Sequence, residues 1–255
     1  MSLKSLIKNR RAGTAISVLL ALAVWQIAAL MVGERILLAS PFAVLKRLMT
    51  IWTEPGFFRA IGFSFSRIVG GFLLGLCVGS LLAVAAGRFE IVDILLRPLM
   101  VTVKTVPVAS FIVIALIWLS PARLSVFISF LIVLPVVYSN VLGGIRSIPK
   151  QMSVMADVFH MPWYRCFIYI WLPAVRPYLV SACTAALGMS WKAGVAAEVI
   201  GLPQGSMGEA LYDAKIFFNT TDLLAWTVII VIISVVFEKL FMALLRLGFG
   251  RLVRL

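Results

Sequence analysis

Four stretches of this chain run for 18 residues or more without a charged side chain: Ala12–Val32, Ile68–Gly87, Thr105–Ala122 and Leu124–Ile145. At 1.5 Å per residue, a helix of that length crosses the roughly 30 Å hydrocarbon core of a bilayer. Two further apolar stretches carry charge. One runs from about Pro177 past Trp191 and contains Lys192; the other starts near Leu223 and meets Glu238 and Lys239. Backbone amides find no water inside a bilayer, so the spanning segments must be helices. The expected fold is all-α and integral to the membrane, with about six transmembrane helices. Composition agrees, since 13% of residues are charged against about a quarter in ordinary soluble domains. The basic N-terminus resembles a signal peptide, but its apolar run is too long for one, and a retained first helix is expected.

The formal net charge of +13 is a familiar footprint of nucleic-acid binding. Here the charges sit at the ends of apolar runs, where lysine and arginine anchor membrane helices, and nucleic acid is excluded as a partner. With the N-terminus inside, Lys4, Lys8, Arg10, Arg11, Arg88, Arg97, Arg146, Lys150, Arg165, Arg246, Arg251 and Arg254 are cytoplasmic. Arg35, Lys46, Arg47, Arg59, Arg67, Arg123 and Lys215 are outside. Because cytoplasmic loops carry the excess of Lys and Arg, both termini are expected in the cytoplasm of a multi-pass protein of the bacterial plasma (inner) membrane.

No catalytic or metal constellation is visible. There is one histidine, and Cys77, Cys166 and Cys183 have neither zinc nor redox spacing. Neither G-x-x-x-x-G-K-[ST] nor H-E-x-x-H occurs. The chain is expected to be neither an enzyme nor a nucleotide binder, so a partner or an ion gradient must drive any energised work.

Within the spans, Gly71, Gly75 and Gly79 form a small-xxx-small stripe that lets another helix approach closely, within one subunit or between two. Pro107 in "KTVPV" should kink the third helix, and Pro135 the fourth. A lysine in mid-span costs about 2.5–3.5 kcal/mol on insertion scales and normally faces protein or water. Lys104, Pro107, Asn140, Lys192 and Glu198 are therefore candidates to line a translocation path. Lys192 and Glu198 do not share a helix face. Between the first two spans, "SPFAVLKRLMTIW" reads as a short amphipathic surface helix capped by Ser40, with Pro41 at its first position and Phe42, Leu45, Leu48 and Met49 at helical spacing. Residues Gly201–Asp222 read as a loop followed by a short helix. A single domain, 1–255 with its core at 60–250, is expected.

One segment is out of character. "MADVFHMPWYRCFIYIWLPAVRP" (Met155–Pro177) is polar and aromatic, with Pro162 and Pro173 expected to break it. Its end, "IWLP", resembles the coupling loop of ATP-binding-cassette importer permeases. That consensus reads Glu-Ala-Ala, three residues, Gly, nine residues, Ile, one residue, Leu-Pro. Ile170, Leu172, Pro173 and Ala156 match it; Val154 replaces the glutamate, Met155 an alanine and His160 the glycine. The stretches Ser66–Gly79, Arg97–Val108, Leu134–Pro149 and Ala196–Ala214 are similar to the nitrate, sulfonate and taurine branch of that family.

The resemblance implies a permease of the type I importer fold that moves a small organic or anionic solute, or a vitamin precursor, by alternating access. It implies a homodimer, an extracytoplasmic substrate-binding protein and two cytoplasmic ATPases that hold the ATP and Mg. The loop at about 147–173 would dock on the ATPase through Val154, Met155, Ala156, Asp157, His160, Trp163, Tyr164, Arg165, Ile170, Leu172 and Pro173. Asp157, three residues on, would there supply the acidic contact of the missing glutamate. Apart from docking, the aromatic residues fit a belt at the membrane lipid interface. The alternative function is a secondary transporter driven by an ion gradient, which would need intramembrane carboxylates.

Overall fold

A computed structural model describes residues 10–34 and 37–252, which form helices joined by short connections, with no strand among them. Lys4, Lys8, Arg35 and Arg254 lie outside the described residues. The helices are α1 (Arg10–Val32), α2 (Pro41–Leu48), α3 (Phe57–Arg88), α4 (Glu90–Thr105), α5 (Val108–Ala115), α6 (Pro121–Arg146), α7 (Lys150–Val158), α8 (Trp163–Cys166), α9 (Leu172–Gly201), α10 (Met207–Ile216) and α11 (Thr220–Leu252). A π-helical turn, Phe167–Trp171, joins α8 to α9. The chain is thus one helix from Trp163 to Gly201.

Four helical segments are each long and apolar enough to span: Phe57–Arg88, Pro121–Arg146, Trp163–Gly201 and Thr220–Phe249. The expected third span, Thr105–Ala122, is not one helix. It holds the last residue of α4, all of α5 and the first two residues of α6, and the span that passes by length and composition is instead the pair α4 and α5, bent by 100°. Together these make five, and the apolar Ile16–Val32 of α1 is shorter. The bend is sharper than a kink because Val106 and Pro107 are both extended, with ψ near 133° and 132°. Proline disfavours the helical conformation of the residue before it. By contrast, Pro135 and Pro177 stay inside α6 and α9. Pro162, extended at the N-cap of α8, breaks the segment as expected, whereas Pro173 lies in the first turn of α9 without breaking the helix.

The chain forms two compact units, one holding residues up to Phe58 with Ala210–Ile230, the other Arg59–Glu209 with Val231 onward. All three passages of the chain between them, near residues 58, 209 and 230, fall within helices rather than in a linker.

In the first unit, Ser40 Oγ accepts a hydrogen bond from the Ala43 N–H (3.3 Å) and Pro41 opens α2. Val44 is buried, while Phe42, Leu45 and Met49 are exposed, leaving an apolar outer face. Arg47 turns away from that face and forms a two-pronged ion pair with Asp222 and a second with Glu54 (2.5 Å).

The second unit is built on α6. The glycine stripe of α3 lies against it: a Cβ on Gly71 would sit 2.7 Å from Ser129 Cβ, and one on Gly75 2.7 Å from Val133 Cβ. Of the two packing roles the stripe allows, the described structure shows the one within a subunit. On another side of α6, α9 presents Ala182, Ala186, Ser190, Gly194 and Ala197, all buried. Ser129 Oγ donates to the Ser190 carbonyl (3.2 Å). Small residues on both helices allow this approach without a hydrophobic driving force. Phe65, Phe72, Trp191, Phe237 and Phe241 fill the space beside α3, with ring centroids 5.1–6.5 Å apart.

Candidate functional site

Helix α7 ends with a left-handed residue. The Met161 N–H donates to the Ala156 carbonyl (2.9 Å), the six-to-one bond that closes a helix when the intervening residue has positive φ. That residue is His160, at φ 49°. It stands where the coupling-loop consensus has glycine, the residue that adopts this conformation at least cost.

The turn swings the chain so that the exposed apolar side chains of α7 are followed directly by those of α8. Val154, Met155, Val158, Phe159, Trp163, Tyr164 and Phe167 are all exposed, Trp163 by 81%. Ala156, which matches the consensus, is the buried residue of α7. Trp163 and Tyr164 meet edge to face at 6.4 Å, with the Arg165 guanidinium 6.0 Å from the Tyr164 ring. Asp157 and Pro173 are exposed, and Ile170 and Leu172 are half-buried. Phe159, Trp163, Tyr164 and Phe167 thus leave aromatic surface exposed on and beside two short helices.

The five residues expected on a path do not gather in one place. Glu198 is fully buried. Its Oε2 accepts from Ser64 Oγ (2.6 Å) and from the Gly208 N–H (3.3 Å), while Ser64 Oγ accepts from the Met207 N–H (2.9 Å). Rather than opening on a cavity, Glu198 ties α9 to α3 and to the start of α10. Lys192 is exposed on the other face of α9. Pro107 forms the break between α4 and α5, and Asn140 donates to its own helix at the Val136 carbonyl (2.8 Å).

Lys104 lies elsewhere, in a cavity of about 280 Å³ between α4 and α6 that also holds Asp93, Arg97, Tyr138, Ser139 and Arg146. Lys104 Nζ donates to Ser139 Oγ (2.9 Å). Sequence reasoning did not single out Asp93, Tyr138, Arg146 or Ser64. The spacing of Asp93 and Arg97, one helical turn apart beside Pro98, was an available signal for the first. For Ser64, 134 residues from Glu198, there was none. Among the described residues no group of three or more histidines, cysteines or carboxylates could hold a metal.

Several apolar helices crossing a membrane, a polar groove between two of them and an aromatic patch on a short connecting segment define a multi-pass membrane transport protein. Residues 75–253 match the family of binding-protein-dependent transport system inner membrane components. The chain belongs to that family, as a permease subunit of an ATP-binding-cassette importer.

Among its relatives, a Bacillus subtilis permease protein named for aliphatic sulfonates is 26% identical, over 84% of this chain and 78% of its own. A nitrate import permease of Synechococcus elongatus is 27% identical, covering 76% and 72%. A taurine transport permease of Escherichia coli is 25% identical, covering 87% and 82%. The crystal structure of an amino acid ABC transporter with histidines shares the fold, at TM-score 0.51 and 17% identity, covering 75% of this chain and 90% of that one. Membership in this family sets aside the ion-gradient alternative.

Proposed function

We propose that the α7–α8 segment is the handle by which a separate cytoplasmic ATPase drives this permease. Two copies of the chain form the translocation unit, and an extracytoplasmic binding protein delivers a small anionic solute of the kind named for the sulfonate, nitrate and taurine relatives. ATP and Mg belong to the ATPase. The observation that carries the reading is the left-handed turn at His160 in the register of the coupling loop, with Phe159, Trp163 and Tyr164 exposed around it. Such aromatic anchors supply most of the binding energy of many interfaces, at 2 kcal/mol or more each.

In operation, closure of two ATPases draws the paired handles together, and each movement passes into α9 through the π turn. The membrane lipid contacts the apolar outer faces of the spans. Replacing Trp163 and Tyr164 together by alanine should reduce ATPase co-purification with the tagged permease by at least tenfold while the permease still reaches the membrane. Undiminished co-purification would remove the docking assignment.

A further inference from the structure

The cavity between α4 and α6 has a charge arrangement that packing alone does not require. Asp93 is 3% exposed and its carboxylate is fully engaged. Tyr138 Oη donates to Oδ1 (2.9 Å), and Arg97 and Arg146 each donate one N–H to Oδ2, at 2.6 and 2.7 Å. This holds two guanidinium groups side by side across two helices. Each keeps four further donors, and the side chains remain 66% and 51% exposed.

Lys104 adds a third cation. It is on the same face of α4, seven residues beyond Arg97, or about 10 Å along the helix axis. Its contact with Ser139 Oγ leaves two ammonium donors. Among the charged residues lining the cavity, three cations face one carboxylate whose oxygens are already taken. A surplus of two positive charges in a cleft between apolar walls focuses the local field on anions. The Asp93 carboxylate, its two arginines and Tyr138 already clamp α4 to α6; Lys104 adds one further bond between them, to Ser139, without touching the carboxylate.

We infer that this cavity is a binding site for an oxyanion, a group with several negatively charged oxygens such as a sulfonate, a phosphate or a nitrate. Arg97 and Arg146 offer it forked donors, the geometry that suits such groups, and Lys104 supplies a point charge beside Ser139. Asp93 and Tyr138 are positioning residues. The site stands apart from the docking surface, and its occupancy needs neither the ATPase nor a second copy. A free anion and the phosphate headgroup of an anionic lipid share the chemistry it recognises.

The test uses the full-length chain in detergent micelles, with methanesulfonate as probe and saturation transfer to its methyl protons as readout. The expected result is a transfer signal that sulfate and nitrate displace and equal chloride does not. Lys104→Gln and, separately, Arg97→Gln should weaken it about tenfold or more, the range for losing one charge-assisted hydrogen bond. Phosphatidylglycerol is added in a second arm. Displacement of methanesulfonate by the lipid, or selective retention of the lipid by wild type but not by Lys104→Gln, identifies the headgroup as the occupant and supports the oxyanion site. Absence of both methanesulfonate transfer and lipid retention, or equal values in wild type and Lys104→Gln, overturns it. Because the ATPase is absent, failure here leaves the docking assignment standing.

Discussion

Gly70 and Gly71 are neighbours on α3 with opposite surroundings, which makes them a paired test of the helix contact. A Cβ built on Gly70 meets nothing within 4 Å, whereas on Gly71 it runs into the Val126 carbonyl oxygen, with Ser129 Cβ 2.7 Å away. Both substitutions to alanine gain the same backbone term, roughly 0.5–1 kcal/mol. Only Gly71→Ala adds overpacking, typically about 1–3 kcal/mol. The obstructing atom belongs to backbone, so it cannot rotate aside, and α3 and α6 must separate to admit the methyl group.

The expected outcome is a Gly70→Ala protein at or above wild-type stability and a Gly71→Ala protein below it, separated by about 1–3 kcal/mol. For a chain of this size that corresponds to about 2–12 °C in Tm. The assay is thermal unfolding of the two purified full-length variants in the same detergent. Equal midpoints, or a more stable Gly71→Ala, would refute the reasoning, because the close approach of the two helices would then be absent.

Two further outcomes follow from local geometry. His160→Gly should relieve left-handed strain at the end of α7 and raise stability by about 0.5–1 kcal/mol, once the greater freedom of glycine in the unfolded chain is subtracted. Limited proteolysis between α7 and α8 reads this as slower cleavage; faster cleavage would mean that the imidazole makes a needed contact. Glu198→Ala orphans Ser64 and the Gly208 N–H in a buried setting and should cost about 2–4 kcal/mol, while Glu198→Gln keeps an acceptor and should cost less than half of that. Equal losses in thermal unfolding would show that the carboxylate's charge, not its hydrogen bonds, holds the loop.

What the sequence revealed and what it withheld divide along the reach of the forces involved. Uncharged length alone picks out Ile68–Gly87 and Leu124–Ile145, which lie inside the spanning helices Phe57–Arg88 and Pro121–Arg146, because a bilayer judges each helix by itself. The Ser40–Pro41 start of α2 is equally local, as its cap bond spans three residues. The stripe Gly71, Gly75 and Gly79 announces a close neighbour without naming it, and only the fold selects α6. Proline was harder to read. Pro107 ends a helix and Pro135 does not, a difference set by packing rather than by the residue. Glu198 reads as a path residue when seen on its own helix, yet its partner Ser64 comes from α3. The Asp93 cluster joins α4 to α6 across 53 residues, so its arginines appear in the sequence only as flanking charge.

The unbroken run from Trp163 to Gly201 puts the α8 part of the aromatic patch, Trp163 and Tyr164, and Glu198 near the two ends of one continuous helix. Thirty-nine residues measure about 58 Å, so pivoting that helix by about 5° about either tip sweeps the other through roughly 5 Å, close to one helical pitch. If the docking reading holds, a push at the Trp163 end would arrive at the Glu198 end as a displacement large enough to shift the Ser64–Glu198 knot, because the π turn and Pro177 lie within the helix without interrupting it.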